Sequence, residues 1–128
     1  MTGLELFMAA RAFPGERFTS RTATLEIGRR IVNRELVGAV EPGTALGPGE
    51  QVYAHTDVAG YGAGFIEHVW LRDGVEVARH YMPVGDDRRW RTWSRHRVDS
   101  GVYRVDAFGP EGELLATRTF TVGSAVGR

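Results

Sequence analysis

Five arginines and two tryptophans lie within residues 88–97, and this stretch is the most distinctive chemical feature of the sequence. In an extended strand, Arg89, Arg91, Trp93 and Arg95 would share one face. Guanidinium groups hold phosphate, sulfate or carboxylate, and indole rings stack on bases or sugars. One hypothesis is therefore a binding face for an anionic or carbohydrate ligand, with His55 from another predicted strand as a further candidate residue.

The same stretch also fits a structural interpretation, in which arginine and tryptophan side chains of neighbouring strands interleave as a cation–π ladder. Each exposed stacked pair would contribute about 0.5–1 kcal/mol to stability. We favour the ladder over the ligand site, because such a segment can stiffen the sheet without any ligand.

Other polar residues suggest a metal site or a hydrolytic centre. His55 and Asp57 share a strand face, as metal ligands could, but no histidine pair has a metal-binding spacing such as HExxH. Ser94, His96 and Asp99 could supply a nucleophile, a base and an orienting carboxylate, but no nucleophile-elbow motif accompanies them. We therefore expect no catalytic residue, no metal and no cofactor.

Composition excludes further classes of function. Lys plus Arg and Asp plus Glu both number 16, so no global basic field attracts nucleic acid. The absence of cysteine excludes disulfides and thiolate metal sites. No apolar run approaches the roughly 20 residues of a membrane span, and the N-terminal stretch is a poor signal peptide. The chain as given is therefore predicted to be cytoplasmic.

The first twenty residues predict a helical arm. Thr2 and Glu5 have the spacing of a capping box, and Leu4, Phe7 and Met8 recur at helical spacing. We expect a short helix over about residues 3–12, within an arm of residues 1–20.

Residues 21–122 predict a single antiparallel β-sandwich of about seven strands, followed by a tail at residues 123–128. The stretches of alternating residues are short, and turn signals such as Asp73-Gly74 bound them. The alternation places Trp70 in the core, and in the last strand it places Leu114 inward. It also puts Arg118 on the apolar face, where a guanidinium needs a partner.

Five segments in this order resemble a known family: residues 68–70 (HVW), 73–74 (DG), 90–94 (WRTWS), 101–105 (GVYRV) and 112–115 (GELL). Residues 33–35 (NRE) add to the pattern. The set resembles the bacterial domain of unknown function 2914 over about residues 21–122. The resemblance implies an all-β, immunoglobulin-like sandwich without assigned activity, often the C-terminal domain of envelope proteins.

We therefore expect a non-enzymatic interaction or accessory module. It would bind a protein partner or self-associate, and it could belong to the cell envelope, as the resemblance implies. The alternative is a ligand-binding module that holds an anionic or carbohydrate ligand on the arginine- and tryptophan-rich strand.

Overall fold

A computed structural model describes residues 21–85 and 89–123, which form eight β-strands. The helix expected over residues 3–12 lies outside the described residues, as do residues 124–128 of the expected tail. The described part of the chain contains no helix with the length and apolar character needed to cross a membrane. The strands are β1 (Thr22–Val32), β2 (Glu35–Ala39), β3 (Gln51–Ala59), β4 (Gly64–Arg72), β5 (Val75–Val84), β6 (Trp90–Arg97), β7 (Gly101–Phe108) and β8 (Leu114–Val122).

The strands form two four-stranded antiparallel sheets, which confirms the all-β sandwich. The first sheet has the order β2-β1-β3-β6 and the second has the order β5-β4-β7-β8. The expected count of about seven strands was wrong, because β1 and β2 are separate strands of a hairpin. Asn33 and Arg34 form its two-residue turn, with φ angles of 52° and 68°. Such turns usually contain glycine, so Asn33 and Arg34 are only a weak hairpin signal.

The connectivity is immunoglobulin-like once β2 is set aside. Without β2, the first sheet consists of β1, β3 and β6, which correspond to strands A, B and E of immunoglobulin-type sandwiches. The second sheet, in the order β5-β4-β7-β8, corresponds to strands C′, C, F and G. Tyr103 on β7 adds a tyrosine corner, because the backbone N–H of Asp99 donates a 3.0 Å hydrogen bond to its hydroxyl oxygen.

Trp70 lies at the centre of the core, as its alternation predicted. Its side chain is fully buried on β4, with the ring edge-on to Phe120 and 5.5 Å from the ring of His96. The indole Nε1–H donates a 3.0 Å hydrogen bond to Ser94 Oγ. The two sheets are thus joined at this point by packing and by a polar contact.

The inward placement of Leu114 was wrong, because 57% of this residue is exposed. The pairing of β7 with β8 shifts register between Ala107 and Phe108, so Leu114 pairs with Phe108 and Leu115 packs towards the core. One extra residue at a bulge reverses the alternation of a strand. Arg118 has the partner that its position requires. Its guanidinium nitrogen Nη2 lies 3.5 Å from a carboxylate oxygen of Glu26 on β1.

The hairpin of β1 and β2 folds back over the outer face of the first sheet. Gly28 pairs with Tyr53 of β3 on one side and with Ala39 of β2 on the other. The side chain of Leu36 covers Gly28 so closely that an added Cβ would lie 2.6 Å from its Cγ. Glycine at position 28 therefore allows the hairpin to lie across β3 and reach β6.

Candidate functional site

The outer face of the first sheet brings together all five candidate binding residues. Trp93 lies directly opposite His55, and Arg95 lies opposite Tyr53 in the pairing of β6 with β3. Arg91 lies two residues before Trp93 on β6, so its side chain is on the same face of the sheet. Arg89 precedes β6 and reaches this face through its side chain.

Trp93 contacts two residues of its own chain. Its ring lies parallel to the buried imidazole of His55, with 6.1 Å between ring centroids, and the guanidinium carbon of Arg34 lies 5.8 Å from its centroid. His55 Nε2–H donates a 2.8 Å hydrogen bond to the carbonyl oxygen of Arg34. Because a carbonyl can only accept, this bond places a proton on Nε2. The turn at Arg34 is thus fixed to the sheet by two contacts.

Arg89 and Arg91 form ion pairs within the chain. Arg89 binds the carboxylate of Asp57 through Nε and Nη2, with a shortest distance of 2.6 Å, and this hydrogen bonding raises the pKa of the guanidinium. Arg91 pairs with Glu35, whose carboxylate also lies 3.7 Å from Arg89. Both arginines are therefore neutralised by carboxylates from β2 and β3.

Arg95 differs from these two arginines. It is exposed on β6, and no carboxylate among the described residues forms an ion pair with it. Of the arginines named as candidates, it alone has no carboxylate partner within residues 21–85 and 89–123.

The cation–π contact on this face predicts a measurable coupling between Arg34 and Trp93. Arg34→Ala and Trp93→Ala should each destabilise the fold, and their combined effect should fall short of the sum by about 0.5–1 kcal/mol. Urea unfolding of the two single variants and the double variant measures this term. Arg34→Lys is the control, because it keeps the charge and loses the planar stacking group. Strict additivity would show that the two side chains do not interact.

A second polar cluster lies beneath this face, inside the sandwich. His68 is fully buried on β4; its Nδ1 shares a 2.7 Å hydrogen bond with Ser94 Oγ, and its Nε2 bonds the hydroxyl of Thr56. The cluster was not predicted from the sequence, although a signal for it existed. Histidine at an inward position of β4 needs polar partners, and Thr56 and Ser94 are hydroxyl residues at inward positions of the opposite sheet.

Burial controls protonation in this cluster. Desolvation, with smaller contributions from His80 and His55, lowers the pKa of His68 to about 3. Desolvation also lowers the pKa of His96 from its ordinary value. His80 faces inward beside these rings, and its buried Nε2 has no hydrogen-bond partner among the described residues. Burial thus favours the neutral form of His68 and of His96.

The residues considered for hydrolysis do not assemble into a triad in the described structure. Ser94 Oγ binds His68 and Trp70, and no hydrogen bond among the described residues joins Ser94 to His96 or His96 to Asp99. Within residues 21–85 and 89–123, no group of three or more potential ligand side chains is arranged to hold a metal ion.

The sheet connectivity, the buried tryptophan of β4 and the tyrosine corner of β7 define an immunoglobulin-like sandwich domain. Residues 65–122 match the family described as "Protein of unknown function (DUF2914)". This match confirms the resemblance for the second sheet and for β6, whereas residues 33–35 lie outside it. No curated protein matches the sequence.

One solved structure similar to the chain is the CARDB domain of a Pyrococcus furiosus protein in complex with di-metal ions. The two share 12% sequence identity, with a TM-score of 0.46. The alignment covers 80% of this chain and 87% of the other.

Proposed function

We propose that the domain is a non-enzymatic interaction module that binds a protein partner through the outer face of its second sheet. The observation that supports this function most directly is a cluster of exposed apolar side chains at one end of that face. Phe65, Tyr81 and Leu114 are 57%, 62% and 57% exposed, respectively. Together with Pro83 and Phe108 they form what we term the Phe65 patch.

The strand register groups the side chains of the Phe65 patch around Glu67. Phe65 lies opposite Pro83, and in the next row Tyr81 and Phe108 flank Glu67 from either side. Leu114 extends the patch onto β8 opposite Phe108. A group of exposed apolar side chains of this kind on a domain surface is typical of an interaction site.

Charged groups lie within and beside the Phe65 patch. Arg79 bonds Glu76 at 2.7 Å and also pairs with Glu67, while Arg104 lies 3.2 Å from Asp106 further along the same face. Protein–protein interfaces combine apolar side chains with polar and charged groups. A partner with a complementary apolar surface therefore fits this face better than a small polar ligand does.

The histidines support a non-enzymatic function. The low pKa of His68 arises from its burial, and the hydroxyls beside His68 are hydrogen-bonded within the cluster. A catalytic base needs access to a substrate proton, and fully buried His68 lacks that access. The family resemblance supports association with the cell envelope as the setting for such a module.

The experiment places a photo-crosslinking amino acid at position 65 of the full chain in its native cells. A discrete crosslinked protein, or a crosslinked second copy, is expected from position 65 and not from position 102, an exposed valine near the other end of the same face. Phe65→Ser should abolish the complex without unfolding the domain, because exposed substitutions change stability by about 0.5 kcal/mol or less. Equal crosslinks from both positions, or an unaffected complex with Phe65→Ser, would exclude this face.

The alternative function, binding of an anionic or carbohydrate ligand, is supported only at Arg95 and Trp93. Arg89 and Arg91 already bind carboxylates of the chain, and an external anion would have to displace them. Arg95 and the exposed part of Trp93 remain available, and both line a groove on the open side of the sandwich.

A further inference from the structure

A groove of about 770 Å³ lies between β5 and β6, where the two sheets are not joined to each other. These strands are edges of opposite sheets, so both sheets contribute to the groove. His80, Met82 and Ser94 come from inward positions, while Tyr53 and Arg95 come from the outer face of the first sheet. The volume is within the range of sites that bind small molecules.

The groove contains three aromatic side chains. Trp93 and Tyr53 belong to neighbouring strands of the first sheet, and Tyr81 belongs to β5 on the opposite side. Aromatic faces carry partial negative charge, and one face of a pyranose ring presents weakly positive C–H groups to such a surface. Tyrosine hydroxyls also provide hydrogen bonds to sugar hydroxyls. The lining is therefore suited to an oligosaccharide.

On the side of the groove that the first sheet forms, the positive charge of arginine is not balanced by carboxylates of the described residues. Arg79, on the β5 side, is neutralised by Glu76 and Glu67. Arg95 and Arg34, on the side of Trp93, form no ion pair with any carboxylate in the part of the chain that is described. A planar guanidinium without an internal partner is suited to a bidentate bond with a carboxylate.

We propose that the groove between β5 and β6 binds an acidic oligosaccharide, with a sugar carboxylate on Arg95 and a sugar ring against Tyr53 and Trp93. The groove shares Tyr81 with the Phe65 patch. The residues assigned to the sugar lie outside that patch, so the two sites can be tested separately.

The edges of the groove do not favour the addition of a peptide strand. Pro83 removes one hydrogen-bond donor from β5, and Arg91, Arg95 and Arg97 place three charged side chains along the eight residues of β6. Prolines and charged residues are the usual protection of sheet edges against further pairing. A sugar needs no such backbone pairing.

The test measures binding of a galacturonic acid tetramer to the full chain by calorimetry and by amide chemical shifts. Binding should occur at the groove, weaken with added salt, and fall by about 10- to 100-fold when the carboxylates are methyl esters. Arg95→Ala should cause a similar loss with an unchanged melting temperature, and Arg95→Lys should retain part of the affinity.

Arg97→Ala is the matched control, because Arg97 is on the same strand and face but donates to the carbonyl oxygen of Gly49 at 2.8 Å. It should bind the tetramer like the wild type, apart from a small change in the salt dependence. Equal losses with Arg95→Ala and Arg97→Ala, or equal affinity for acid and ester, would overturn the proposal. Binding of an acidic peptide with new protection of β5 amides, and none of the tetramer, would replace it with strand addition.

Discussion

Trp70→Ala is expected to lower the free energy of unfolding by about 3–5 kcal/mol, a large fraction of the stability of a domain of this size. The indole is fully buried, and its loss leaves a cavity beside Phe120 and His96. It also removes the hydrogen bond that Ser94 Oγ accepts. Urea unfolding followed by far-ultraviolet circular dichroism measures the change.

Trp70→Phe separates the two contributions. It keeps an aromatic ring in the core but cannot donate to Ser94, so the loss attributable to the hydrogen bond should be about 1 kcal/mol, with a further packing loss from the smaller ring. The expected order of stability is wild type, then Trp70→Phe, then Trp70→Ala. A normal melting temperature for Trp70→Ala would contradict the position of this side chain at the centre of the core.

Acid is expected to unfold the domain through His68. The unfolded chain protonates this imidazole near pH 6.5, whereas the folded chain resists protonation until about pH 3. The contribution of His68 to stability is therefore complete above pH 6.5 and is lost progressively as the pH falls towards 3. The maximum loss is on the order of 5 kcal/mol, because each unit of pKa difference corresponds to about 1.4 kcal/mol.

The comparison variant is His68→Gln, which is uncharged at every pH and retains hydrogen-bonding groups. Its stability should change less between pH 6.5 and 4 than that of the wild type. Carboxylates titrate in both proteins, so the difference between the two curves isolates the histidine. Nitrogen chemical shifts of His68 provide a check in the folded wild type, where the ring should stay neutral at pH 5. A ring protonated at pH 5 would contradict the prediction.

The sequence alone was sufficient to predict features that depend on residues close to each other along the chain. The position of Trp70 follows from alternation along β4, and the turn at Asp73 and Gly74 follows from their tolerance of positive φ, here 50° and 83°. Leu114 was misplaced because a bulge is a property of two paired strands, and the apolar pair Leu114 and Leu115 fits either register.

The sequence predicted which residues of the candidate site share a strand face, but not which side chains they contact. The stretch 88–97 correctly indicated a shared face for Arg91, Trp93 and Arg95. The cation above Trp93, however, is Arg34, which reaches it only because the β1–β2 hairpin folds over the sheet at Gly28. Such a contact depends on the path of the chain in three dimensions, which local patterns do not contain.

The hairpin of β1 and β2 has a consequence for the order of events in folding. Its two strands are adjacent in sequence, and a hairpin closes in about 1–10 μs. The tip, however, bonds to His55 and to the backbone of Arg91, which are 21 and 57 positions away from Arg34. Contacts of such long sequence separation wait for the assembly of the sheets. Weakening the tip should therefore speed unfolding and leave the refolding rate nearly unchanged.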